Sequence, residues 1–98
     1  MRIELKKFGT TLTSRQMGSE ASKALQPMLR SLKPDENVEI DFDDVLTFSP
    51  SWGDEFLTPL VQEFGDRLLL LPSDNLSVKA TINLLEQITK RQFTWSRR

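Results

Sequence analysis

The stretch Val38–Leu57 constrains the fold more than any other, because its hydrophobic period changes partway along. Val38, Ile40 and Phe42 alternate with Glu39 and Asp41, the two-residue period of a half-buried strand. Beyond the turn, Trp52, Phe56, Leu57, Leu60, Val61 and Phe64 recur near every third or fourth residue, a helical face that needs another layer to cover it. A strand feeding directly into such a helix is the first half of a βαβ unit.

The rest of the chain repeats that grammar. Arg2–Phe8 alternates with Ile3, Leu5 and Phe8 on or near one face and reads as a strand; Gly9–Thr13 reads as a turn with room for a short return strand. Thr13-Ser14-Arg15-Gln16 fits a capping box opening a helix whose inner face is Met17, Ala21, Ala24/Leu25, Met28 and Leu32. Pro27 within that run bends the helix or ends it early. Lys33–Asn37 is a polar turn, and Val45–Phe48 either continues to the sheet edge or packs beneath the next helix. Pro59 interrupts the second helix, and Gly65 is placed to stop it.

Arg67–Pro72 is a continuous apolar run closed by proline, as expected of a strand buried on both faces. Ser73-Asp74-Asn75 supplies an N-cap for a last helix on Val78, Ile82, Leu85 and Ile88/Thr89, ending near Arg91. Phe93-Thr94-Trp95 then either docks as a short strand or leaves residues 91–98 as a loose basic-aromatic tail. The order β-α-β-α-β-α predicts an α/β fold, with helices packed on a small, mostly parallel or mixed sheet, in a single domain over 1–98.

What is missing narrows the chemistry. The chain has no Cys, His or Tyr, which removes thiolate and imidazole metal sites, Cys nucleophiles, His bases and every Ser-His-Asp triad. An enzyme would be left with carboxylate or lysine chemistry, and neither a cofactor nor a metal is expected. Thirteen Lys/Arg against fourteen Asp/Glu give a net charge of −1, too little for a global field that steers nucleic acid. The longest apolar run, Leu68–Leu71, falls far short of the ~20 residues that span a bilayer. The first residues lack the apolar core of a signal peptide, so the expected location is the cytoplasm.

Three segments invite a functional reading. Ser49-Pro50-Ser51 stands at a strand-to-helix turn, where the helix dipole favours a phosphate. Ser51 and Ser49 are the candidate phospho-acceptors; the structural reading makes Ser49 the N-cap and Pro50 the first helical residue. The acidic set Asp41, Asp43, Asp44, Asp54 and Glu55 contains the oxygen ligands a Mg²⁺ ion takes, or else a turn and a first helical turn favoured by the dipole. At the C-terminus, Lys90, Arg91, Arg97 and Arg98 flank Phe93 and Trp95, an interleaving that can bind single-stranded nucleic acid. Arg15, Lys6 and Lys7 read as solvated.

The run Ser51-Trp52-Gly53-Asp54-Glu55-Phe56, with Phe64-Gly65 closing the helix, resembles a Ser-Phe-Ala-Asp-Glu-Leu-like run in small STAS-like bacterial proteins of unknown function. These are related to the STAS domains of anti-sigma factor antagonists. The resemblance also takes in Gly9, Ser14-Arg15, Ile40-Asp41-Phe42 and the last helix, and implies a single STAS-like domain. In the antagonists an Asp-Ser pair occupies the turn, and the serine is phosphorylated by a kinase that is also the binding partner. Aligned through Ile40-Asp41 and Val45, this chain has Ser49 in the aspartate slot and Pro50 in the acceptor slot, with Ser51 following.

The resemblance therefore implies a non-enzymatic regulatory module. Its protein partner would be a kinase- or ATPase-like or anti-sigma-like regulator, met through Phe48, Pro50, Trp52, Asp54 and Glu55. The alternative is a nucleic-acid or transcription-linked accessory that works through the C-terminal basic-aromatic segment.

Overall fold

The change of period within Val38–Leu57 becomes a strand–turn–helix unit in the computed structural model, which describes residues 1–97. Strands β1 (Arg2–Glu4), β3 (Val38–Asp41), β5 (Leu68–Leu70) and β6 (Thr94–Trp95) form one sheet in that order, every neighbouring pair parallel. Two further strands, β2 (Thr11–Leu12) and β4 (Thr47–Phe48), pair in parallel as a separate small sheet. Helices α1 (Arg15–Leu29), α2 (Pro50–Phe64) and α3 (Leu76–Thr89) make the connections, giving the expected α/β fold.

Strands that add to a sheet in chain order, through crossovers of one hand, put all their helices on one face. Accordingly α2 packs between α1 and α3. The face beneath them is apolar and buried: Ile3, Val38, Ile40, Leu68 and Leu70. The opposite face carries Arg2, Glu4, Glu39, Asp41 and Leu69, of which only Asp41 is buried. Leu69 is only half-buried, so the strand predicted to be covered on both faces is covered on one.

Six aromatic rings link the helix layer to the strand ends. Trp95 lies 6.4 Å from Phe42, Phe42 5.4 Å from Phe48, Phe48 5.8 Å from Trp52, Trp52 4.8 Å from Phe56, and Phe56 5.4 Å from Phe8. Tilted and offset pairs at such distances add ~0.5–1.5 kcal/mol each beyond their buried area.

Several local expectations change. The first strand stops at Glu4, and Leu5–Phe8 wind into a 3₁₀ turn that buries Leu5 and brings Phe8 to Trp52 and Phe56. The α1 cap is Ser14, whose Oγ accepts from the Met17 N–H (3.2 Å), rather than Thr13. That helix buries Gly18, Ala21, Leu25 and Leu29, while Met17 and Met28 remain 54% and 50% exposed. It ends two residues past Pro27, leaving Leu32 outside the helix but packed on the core. Both Pro27 and Pro59 are exposed, so water can satisfy the carbonyls their missing N–H groups release. Gly65 ends α2 with a φ of 57°, a left-handed conformation in which a side chain would be strained. Phe93–Trp95 takes the docked alternative: Phe93 is buried, and Thr94–Trp95 add to the sheet as β6.

Candidate functional site

The entrance to α2 is built from three directions. Asn75, the N-cap of α3, accepts at Oδ1 from the N–H groups of Ser77 (2.8 Å) and Val78 (3.2 Å). Its Nδ2 donates to the carbonyls of Val45 (2.8 Å) and Leu46 (3.1 Å). Ser77 Oγ accepts from the Phe48 N–H (3.1 Å), and Thr81 Oγ1 donates to the Phe48 carbonyl (2.7 Å). One strand is thus hydrogen-bonded to β2 on one edge and sewn to α3 on the other. Asn75 is recognisable from the residues as a cap, whereas the roles of Ser77 and Thr81 are not, because their spacing gives no sign of a long-range bond.

Ser49 caps α2, with Oγ accepting from the Trp52 N–H (3.5 Å) and donating to the Thr13 carbonyl (2.9 Å). Pro50 is the first helical residue, as expected. Ser51 is half-buried in the first turn, and its hydroxyl makes no hydrogen bond within the described residues. Of the two candidate acceptors, Ser49 is thus engaged at both its donor and acceptor roles, and Ser51 is free.

The five partner-facing candidates divide. Phe48 and Trp52 are 1% exposed and belong to the core, so their side chains do not reach a partner. Asp54 and Glu55 remain at the surface, held by Arg15 Nη1 at 3.1 and 2.7 Å. Arg15, read as solvated, therefore clamps the start of α1 to the start of α2, and these carboxylates raise its pKa. The clamp brackets a close approach at Gly18, where a Cβ would lie 2.7 Å from the Trp52 carbonyl oxygen. Pro50 stays half-buried beside Ser51.

The acidic set is dispersed. Asp41, almost fully buried, accepts from Arg2 Nη2 (2.8 Å), Arg2 Nε (3.2 Å) and the Asp43 N–H (2.9 Å). Burial pushes the Asp41 carboxyl up, but the Asp43 N–H and the Arg2 guanidinium outweigh it and hold it below the ordinary aspartate value. Asp44 pairs with Lys6 at 3.3 Å across the tight turn where its own φ is 67°. Lys7 lies 3.8 Å from Glu4. Among the described residues, no three acidic side chains converge on a common metal position.

At the other end of the chain, Phe93 is spent on the core and Trp95 is half-buried in β6, while Lys90, Arg91 and Arg97 are exposed. Of the two aromatics, only Trp95 therefore keeps surface on which a base could stack. Arg98 lies outside the described residues.

A β-strand, an engaged N-cap serine, a first-turn serine and an α2 stripe closed at Phe64-Gly65 are the features carried by residues 38–65. The model of one family, described as a STAS-like domain of unknown function (DUF4325), matches residues 21–79. The chain belongs to this family. The matched span of the STAS-like domain runs from within α1 to the first turn of α3 and includes the whole α2 entrance. No curated protein and no solved structure matches the chain at a significant level. Among the described residues, no helix is long and apolar enough to cross a membrane.

Proposed function

We propose that this STAS-like domain is a non-enzymatic, cytoplasmic regulatory module that binds a kinase- or ATPase-like protein partner through the α2 entrance. The observation that carries the reading is a pair of leucines. Leu46 is 70% exposed and Leu76 is 79% exposed, and Asn75 holds both loops in place at the end of the molecule where α2 begins. A large apolar side chain kept in water on a hydrogen-bonded frame favours a protein surface that can cover it. The free hydroxyl of Ser51 lies in the adjoining first turn of α2, where a phosphate would add nearly two negative charges at the helix dipole's positive end.

The partner then distinguishes two charge states of one rigid surface. The supporting experiment isolates the complex from native cells, maps its phosphosites and reconstitutes it from purified components. Leu46→Ser with Leu76→Ser should abolish the complex, and Ser51→Asp should weaken it. A reconstituted complex that tolerates the leucine pair overturns the interface, and one indifferent to Ser51→Asp overturns the switch.

A further inference from the structure

A second surface lies at the carboxyl ends of β5 and β6, against the flank of α3. Pro72, Ser73, Asp74, Lys79, Asn83, Trp95 and Ser96 line a hollow of about 540 Å³ there. Small-molecule sites typically enclose ~300–1,000 Å³, and in open α/β sheets they lie outside the carboxyl ends of the strands.

The lining groups differ in kind from those at the α2 entrance. At the α2 entrance and the sheet end the cations are held by carboxylates: Arg2 by Asp41, Lys6 by Asp44, and Arg15 by Asp54 and Glu55. In the hollow, by contrast, one cation and one carboxylate, Lys79 and Asp74, line the same space, and neither forms an ion pair with the other or with any described residue. The Asn83 carboxamide and the Ser96 hydroxyl are likewise without side-chain hydrogen bonds. Trp95 and Pro72 add flat apolar surface, and the Trp95 backbone is fixed by parallel pairing with Leu70.

We infer that this hollow binds a small zwitterion carrying a planar apolar group, the chemistry of an aromatic α-amino acid. One ammonium acceptor and one carboxylate donor sit in one lining, so their charges cancel, and a multiply charged phosphate gains from Lys79 only what it loses to Asp74. A ligand with one charge of each sign satisfies both. Its ring lies against the indole of Trp95, and Asn83 and Ser96 supply the neutral hydrogen bonds that fix its orientation. This site is independent of the α2 entrance.

Titration of the full chain, labelled with ¹⁵N, with L-phenylalanine tests the inference. Only two tryptophans are present, and Trp52 in the core is an internal control for the indole of Trp95. Saturable shifts should appear at Asp74, Lys79, Asn83 and the Trp95 indole while the Trp52 indole stays still. Lys79→Gln and Asp74→Asn, both exposed positions, should each weaken binding about tenfold or more, the equivalent of ~1.4 kcal/mol. Phenylpropionate, which lacks the ammonium group, and phenethylamine, which lacks the carboxylate, should each bind weaker by a similar factor. No saturation up to the solubility limit of L-phenylalanine overturns the proposal, as do shifts centred elsewhere. Phenylpropionate or adenosine monophosphate binding as tightly as L-phenylalanine would show an anion site instead and equally overturn it.

Discussion

Helices α1 and α2 look alike on paper and behave differently. Each has fifteen residues, a serine N-cap and an exposed internal proline, yet α2 buries seven residues and α1 four. The difference is one of place. The central helix meets the sheet below, α1 on one side and α3 on the other, whereas α1 has a neighbour on one side only. A helix in the middle of a layer needs a broad apolar face, and one at the margin needs a narrow stripe. Their seam is closed by a residue with no side chain, Gly18, and fastened at the surface by Arg15.

The contrast should be largest in the cores of the two faces. Phe56→Ala removes a fully buried ring and should cost ~3–5 kcal/mol, a large part of the stability of a small domain. Met17→Ala, at the position the sequence placed inside α1, should stay within about 0.5 kcal/mol. Denaturant unfolding of both variants reads this directly, and comparable losses would mean that α1 is rotated from the orientation described.

Next comes the seam. Alanine is the better helix former by ~1 kcal/mol, but at Gly18 its methyl group would strike the Trp52 backbone. Gly18→Ala should therefore destabilise by ~1–3 kcal/mol, as overpacking does. A rise in Tm would show a looser seam. The caps follow: Ser49→Ala loses two bonds and should approach ~2 kcal/mol, while Ser14→Ala loses one exposed bond and should cost ~0.5 kcal/mol.

Acid separates the sheet from both helices. Because the folded Asp41 pKa lies below its unfolded value, the bonds its carboxylate accepts from the Asp43 N–H and Arg2 contribute their full stability above the unfolded value of ~3.9. That contribution is lost as pH falls through the depressed folded value. Asp41→Asn should lower stability at neutral pH and flatten the acid limb of a stability–pH profile; an unchanged limb would assign acid sensitivity elsewhere. The smallest effect belongs to Arg15→Gln, whose exposed clamp should matter slightly at low salt and vanish at high salt, measured by Tm across ionic strength.

The same contrast explains what could be read in advance. The α2 stripe was legible because its burial is broad and made of large apolar residues, and Gly65 and Ser49 were legible because caps are local chemistry. In α1 the middle of the inner face, Ala21 and Leu25, was legible, but two exposed methionines mimic its continuation, and the contact at Gly18 has no hydrophobic signature. At the site, the Ser49–Ser51 turn was visible in the residues. The exposure of Leu46 and Leu76 was not, since hydropathy alone predicts leucine inside.

The alternation of strands and helices, the α/β class, the caps of α2 and α3, and the chemistry ruled out by missing Cys and His can all be read from the residues. All of these follow from period, local hydrogen bonding and composition, which need no distant partner. It took the packing of the layers to make the four main strands all parallel with one face open and to place Phe48 and Trp52 in the core. The same packing lets Arg15 bridge two helices and leaves Lys79 and Asp74 sharing a hollow without pairing. Each of these depends on residues far apart in the chain, whose meeting is set by how the layers pack and not by the pattern around any one of them.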